Sequence, residues 1–397
     1  MLVAADKFKG SLTAVQVAER VTAGLRRVVP GVEVTSLPVA DGGDGTVDAA
    51  VAAGFARHEV RVAGPLGDEV TAAFALRGDT AVVEMAEASG LQRLPAGVLA
   101  PLTASTYGAG ELLRAALDAG ARTIVFGVGG SATTDGGAGM LSALGARFLD
   151  ADGEPVPPGG GGLAELASAD LSGLDPRLAA VELVLASDVD NPLTGPKGAP
   201  AVYGPQKGAS PEDVRALDEA LTHYAKILEG APAPGGAGSG GPSGARDASG
   251  GGRGAVLGAR AAEHAVSPGA GAAGGIGYGA LLVGARFRPG IEVMLDVLGF
   301  AAALERAELV ITGEGSLDEQ TLHGKAPAGV AAAARAAEKE VVAVCGRLTL
   351  PPEALGRAGI RRAYPLTGVE PDVATCIADA GPILERVAEQ IARDFLV

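Results

Sequence analysis

The chain has 397 residues, a length that favours two domains, and its 47% apolar but only 3% aromatic composition, without Trp, makes its cores Ala/Val/Leu packing. A formal net charge of −15, from 32 basic against 47 acidic residues, argues against duplex nucleic acid or an anionic membrane as partner. A small anionic ligand stays open only through a local basic pocket or a bound cation, and no run approaches the roughly 18 apolar residues of a membrane span.

The first elements alternate strand and helix. A strand at 2–5 precedes the loop at 6–12, and a helix follows over about 13–27, where Thr13 and Gln16 make a capping box and Val17, Val21, Leu25 and Val28 recur at helical spacing. A strand at 32–37, an acidic Gly-rich loop at 41–46 and a helix to about 53 complete a β-α-β-α opening, which points to a parallel sheet. Because the apolar run before Asp6, Lys7 and Lys9 is short, the N-terminus reads as a strand rather than a signal peptide, and the expected location is cytoplasmic.

The rhythm changes near Gly64. Residues 70–76 and 80–86 alternate as a hairpin across Arg77-Gly78-Asp79, then come a helix at about 107–119 and strands at 123–128 and 181–186. From about 290 the α/β alternation returns, with strands at 308–312, 341–344 and 361–363 and helices at 327–338 and 382–395. The expected architecture is a discontinuous flavodoxin- or Rossmann-like domain of five short strands, residues 1–64 and 290–397, with an α/β domain, residues 65–289, inserted in it. Within the insert, 231–254 is a low-complexity Gly-rich stretch that reads as a flexible surface loop. Cys345 and Cys376 form neither a disulfide framework nor a metal spacing and read as buried small apolar residues.

The loops at the strand ends carry the chemistry. Walker A and GxGxxG patterns are absent, since Gly324-Lys325 is followed by Ala326. The segment Asp6-Lys7-Phe8-Lys9-Gly10-Ser11 sets two amines and a hydroxyl at a helix start, a cradle for phosphate or carboxylate; solvated lysines are the plain alternative. Asp41-Gly42-Gly43-Asp44-Gly45-Thr46 holds two carboxylates on a turning backbone, with a simple tight turn as the plain alternative. The stretch from Gly129 and Gly130 through Ser131, Thr133 and Thr134 to Gly137 reads as an anion nest, with a plain strand-to-helix turn as the alternative. Asp188 and Asp190, two apart at a strand end, could hold Mg²⁺ or take a proton from a hydroxyl, with a satisfied turn as the plain alternative. The segment from Gly313, Glu314 and Gly315 to His323 and Lys325 combines an acid, a base and an amine before Pro327, a residue suited to a first helical turn. Amines and N–H groups for phosphate, oxygen ligands for Mg²⁺ and a carboxylate base together specify phosphoryl transfer.

These segments, in this order, resemble the type-1 glycerate kinase family of bacteria. The resemblance rests on Ala5–Leu12, Pro38–Thr46, Gly129–Gly137, Ser187–Leu193, Gly204–Ala209, Gly271–Tyr278, Thr312–Gly315 and His323–Pro327, and covers essentially the whole chain. Lys7 and Asp44 stand where the family usually has Ser and Glu, and Thr134 and Ser316 where Asn and Arg are common. The resemblance implies phosphorylation of D-glycerate by ATP with Mg²⁺, giving 2-phosphoglycerate rather than 3-phosphoglycerate, in a cleft between two α/β domains. It places the substrate among Lys9, Ser11, Asp41, Gly42, Gly43 and Asp44. ATP phosphates would lie along Gly129, Gly130, Ser131 and Thr133 and along Gly313, Glu314 and Gly315, with His323 and Lys325 nearby. Lys9, Asp188 and Asp190 are then the catalytic candidates, and Asp188, Asp190 and Glu314 the metal candidates. A kinase of another small hydroxy acid and a non-catalytic nucleotide or sugar-acid sensor are the alternatives. A homo-oligomer is left open.

Overall fold

The computed structural model describes residues 1–233, 260–322 and 324–397. The Gly-rich stretch expected at 231–254 lies from residue 234 onward outside the described residues, as does His323. Thirteen strands are found among the described residues: β1 (Leu2–Ala5), β2 (Thr35–Ser36), β3 (Ala56–Ala63), β4 (Glu69–Arg77), β5 (Thr80–Glu84), β6 (Thr123–Gly127), β7 (Arg147–Leu149), β8 (Ser168–Asp170), β9 (Glu182–Ala186), β10 (Arg286–Arg288), β11 (Leu309–Leu317), β12 (Glu340–Leu348) and β13 (Arg362–Pro365). The chain divides into two compact units, Met1–Ala56 with Arg288–Val397, and Arg57–Phe287. Among the described residues no helix is long and apolar enough to cross a membrane.

The first unit is a five-stranded sheet in the order β13-β12-β11-β1-β2, in which each neighbouring pair is parallel. Numbered within the unit, this is the flavodoxin-like order 2-1-3-4-5, whose switch point lies between β1 and β11. Both faces are buried, as a parallel sheet requires. Val3, Ile311, Val342 and Val344 pack with the helices Ala14–Val28 and Ala380–Phe395, while Leu2, Val310, Val341 and Ala343 are also buried. Thr13 and Gln16 do close a capping box ahead of the first helix, with bonds of 3.2 and 2.9 Å.

Two strands are longer than their apolar runs suggest. Gly313–Leu317 and Cys345–Leu348 look like loops, yet the ladder continues through Glu314↔Cys345, Ser316↔Arg347 and Leu317↔Leu348. Conversely, the strand expected at 32–37 pairs only at Thr35 and Ser36, and its continuation follows β1 through Leu37 N–H to Val3 O (2.8 Å) and Val39 N–H to Ala5 O (3.2 Å).

The second unit is built on a six-stranded sheet in the order β10-β9-β6-β5-β4-β3. β5, β6 and β9 are parallel, and β4 runs antiparallel to β5 through the hairpin read at Arg77-Gly78-Asp79. β3, which precedes Gly64, belongs to this sheet. Few aromatics fill the core, but those present cluster: Tyr224 meets Phe148 and Tyr278 edge-on, with ring centroids 5.5 and 5.9 Å apart.

Candidate active site

In the first unit the candidate side chains collect at the carboxyl ends of β1 and β11, where an open parallel sheet leaves room for a ligand beside its switch point. Asp6 follows β1 directly, and its N–H bonds Gly313 O at 2.8 Å, tying the two strand ends together. The loop beyond folds on itself through Ser11 N–H and Leu12 N–H to Phe8 O (2.9 and 3.0 Å), and Gly10, at φ +83°, makes the turn. A cavity of about 480 Å³ opens here, lined by the cationic Lys7, Lys9, Lys325 and Arg347 and the acidic Asp6, Asp41 and Glu314. Ser11 and Gly315 also line it, and Cys376 and Ile377 form part of an apolar wall.

The polar groups hold one another. Lys7 Nζ donates to Asp44 O, and the Lys7 N–H bonds Asp6 Oδ1 at 2.6 Å. Burial, reinforced by the nearby Asp41, pushes the Asp6 carboxyl up to about 7, although Lys7 pulls the other way. Burial also raises Glu314, against a 2.5 Å hydrogen bond from Thr321 Oγ1 and the attraction of Lys325, whose Nζ lies 3.8 Å from Glu314 Oε2. Asp41 Oδ1 accepts the Gly43 N–H at 3.1 Å, so Gly42 and Gly43 shape the turn that presents Asp41. Asp44 keeps one buried carboxylate oxygen without a partner.

The structure thus brings Lys9, Ser11, Asp41, Glu314, Gly315 and Lys325 to one cavity, while Gly42, Gly43, Asp44 and Gly313 do not line it. Gly313 has a packing reason to be glycine, because a Cβ there would overlap Val344 O. Asp6, Arg347 and Thr321 were not singled out by the sequence reading. Asp6 had the same signal as Glu314, an acid directly after an apolar strand. Arg347 and Thr321 had none, because one sits beyond the apolar run of β12 and the other in the turn Glu319–Leu322.

In the second unit four of the quoted segments converge. β6 and β9 are adjacent and parallel, in register at Gly127↔Ala186, so the loop from Val128 and the loop with Asp188 and Asp190 leave the same edge of the sheet. Gly271–Gly275 packs against both, with the Gly271 N–H on Asn191 O (2.8 Å) and the Gly136 N–H on Gly274 O (3.1 Å). Ala273, Gly274 and Gly275 all have positive φ, and a Cβ at Gly274 would overlap Thr133 O, so the close approach requires glycine there.

Gly130 is exposed, but Ser131 is 6% exposed and Thr133 and Thr134 are fully buried. Ser131 Oγ takes the Thr133 N–H (3.0 Å) and donates to Ala273 O (2.9 Å), so the hydroxyls shape this loop from within. Among the described residues the N–H groups of Gly130, which is exposed, and of Ser131 take no acceptor. Asp135 is buried beneath, accepting from Thr106 N–H and Oγ1 (both 2.8 Å), Gly137 N–H (3.1 Å) and Gly139 N–H (3.3 Å). Burial raises its pKa, and these four bonds oppose the rise.

Asp188 is half-buried and Asp190 exposed. Among the described residues no group of three or more His, Cys, Asp or Glu side chains could hold a metal ion. Two carboxylates near one strand end are the kind of donor Mg²⁺ takes, together with substrate phosphates rather than a protein cage.

Comparison with known proteins agrees over full length. The family model described as the glycerate kinase family matches residues 1–396. Glycerate kinase of Bacillus subtilis strain 168 is 43% identical, with 99% of this chain and 96% of that protein covered. Glycerate 2-kinase of Escherichia coli K12 is 43% identical over 88% of this chain and 85% of that protein. A crystal structure of a Salmonella typhimurium LT2 protein described as a glycerate kinase 2 superposes with a TM-score of 0.79 at 41% identity, covering 99% and 97% of the two chains. This chain belongs to the glycerate kinase family.

Proposed function

We propose that the protein transfers the γ-phosphoryl group of ATP to a hydroxyl of D-glycerate, giving 2-phosphoglycerate and ADP. The observation that carries the reading is the first unit's cavity, in which Lys7, Lys9, Lys325 and Arg347 face Asp6, Asp41 and Glu314 in about 480 Å³. Such a cavity suits a small hydroxy acid, whose carboxylate the amines bind and whose hydroxyls the carboxylates orient. Lys9 and Ser11 are assigned to the substrate carboxylate, and Asp41 to a hydroxyl. Glu314, Gly315 and Lys325 are assigned to phosphate, as are the N–H groups of Gly129, Gly130 and Ser131 in the second unit. The name of the Escherichia coli relative, a glycerate 2-kinase, favours the 2-phosphate.

Phosphoryl transfer needs positioning and charge neutralisation more than a covalent nucleophile. Asp188 and Asp190 are the residues that would hold Mg²⁺ or accept the hydroxyl proton, with Glu314 as a further carboxylate. The chemistry Mg²⁺ supplies when bound is neutralisation of phosphate charge. A coupled assay for ADP with D-glycerate tests the reading, and NMR of the product separates the 2- from the 3-phosphate. ADP formed only with another hydroxy acid would redirect the substrate assignment. ATP binding without turnover on any acid would make the protein a sensor.

A further inference from the structure

One lysine of the second unit has no part in the chemistry above. Lys207 closes the short turn Pro205–Lys207 and is 2% exposed. Its Nζ donates to Thr133 O at 2.5 Å and to Ser131 Oγ at 3.3 Å, inside the loop whose Gly130 and Ser131 N–H groups lack acceptors among the described residues. Among those residues no carboxylate lies within ion-pairing distance of this amine. Burying an unpaired ammonium is expensive, and here burial pulls the amine down to about 7, with Asp135 the charged group acting in the opposite direction. Strongly perturbed groups of this kind cluster at functional sites. The Gly129–Gly137 loop has no Lys or Arg of its own and carries Asp135, so any positive side-chain charge for an anion there must come from another segment.

We propose that Lys207 is a positioning residue of the nucleotide phosphate site, fixing Ser131 and Thr133 from within so that the Gly130 and Ser131 N–H groups stay open to phosphate, and supplying the positive charge this loop lacks. The inference rests on the assignment of ATP phosphates to the loop. An anion at the N–H groups favours the ammonium form, so MgATP binding draws a proton onto Lys207.

The test is MgATP binding by titration calorimetry at pH 8, in buffers of different ionisation enthalpy, with steady-state kinetics on both substrates. Lys207→Met should weaken MgATP binding about tenfold or more, leave KM for D-glycerate within about twofold and reduce the protons taken up relative to wild type. Ser131→Ala, a milder change, should weaken MgATP several-fold in the same direction. A lysine that served only to stabilise the core would lower the active fraction and leave both KM values alone. The inference is overturned if MgATP affinity stays within twofold of wild type in Lys207→Met, or in Ser131→Ala should the first variant not fold. Wild type that binds MgATP but makes no ADP from any acid sinks the assigned reaction and leaves Lys207 to be judged on binding. Failure of wild type to bind MgATP sinks both.

Discussion

Thr321 Oγ1 donates a 2.5 Å hydrogen bond to Glu314 Oε1, joining the turn Glu319–Leu322 to the strand that carries the carboxylate. Thr321 is fully buried and Glu314 nearly so, and burial alone would drive Glu314 toward its neutral form. The hydroxyl and Lys325 oppose that drift. If Glu314 must be ionised in turnover, Thr321→Val should move the acidic limb of kcat/KM to higher pH by about one unit, the worth of one hydrogen bond to a charged group. Thr321→Ser should restore it. Coincident pH profiles for Val and wild type would remove Glu314 from the ionised machinery.

Gly313 and Gly315 frame the same carboxylate and should respond differently. A Cβ at Gly313 would overlap Val344 O in the neighbouring strand, and neither backbone can yield without breaking the ladder. Gly313→Ala should therefore cost on the order of 3 kcal/mol, read by urea unfolding. At Gly315 the nearest atom is Lys9 N at 3.3 Å, in a loop that can give. Gly315→Ala should fold normally and raise KM severalfold; a melting point as low as that of Gly313→Ala would refute the distinction.

The sheet and its first helix were legible because their signals are local: apolar runs at β1 and β11, and a capping box at Thr13. Residues whose role depends on partners far along the chain were harder to read. Glu314 looked like a loop residue between two glycines, yet Cys345, distant in sequence, pairs with it and keeps it in a strand. Thr133 looked like a ligand donor, but Lys207 and Ala273 converge on the Ser131–Thr133 turn and draw it inward. Lys207 itself sits between Pro205 and Gly208, a setting that suggests an exposed turn, and its burial comes only from tertiary packing.

Magnesium should follow the nucleotide rather than the protein. With no group of three His, Cys, Asp or Glu side chains placed to hold a metal among the described residues, free Mg²⁺ should bind only at millimolar strength or weaker, as expected where substrate phosphates supply the remaining ligands. Chelation should abolish turnover yet leave the thermal midpoint unchanged. A midpoint that falls with EDTA would reveal a structural metal.

Asp188 and Asp190 leave the end of β9 together, and their assigned roles are proton acceptance and Mg²⁺ binding. Asp188→Asn and Asp190→Asn should each lower kcat by about 10²–10⁴-fold with the circular dichroism spectrum intact, the range for losing a general base or a metal carboxylate. A rise in the Mg²⁺ concentration needed for half-maximal rate would mark the metal ligand, and loss of the alkaline plateau without that rise would mark the base. Normal turnover in both variants would return the proton transfer to the acids of the first unit.

Asp6 ties stability to pH. Its folded pKa of about 7 lies above the ordinary 3.8, with burial the first cause and Asp41 the second. The folded protein therefore binds the Asp6 proton more tightly than the unfolded chain does, so this carboxyl's contribution to stability is present in full below about pH 4. It is lost as pH rises toward 7 and does not return above. Asp6→Asn removes the buried charge, and relative to wild type it should gain on the order of 2 kcal/mol between about pH 4.5 and pH 8, measured as a difference of urea unfolding free energies. The same variant should lose the rise of kcat/KM through about pH 7 that wild type shows if ionised Asp6 acts on the substrate hydroxyl. A variant that gains stability with pH yet keeps the wild-type rate profile would leave Asp6 a strained neighbour of the substrate and not a participant.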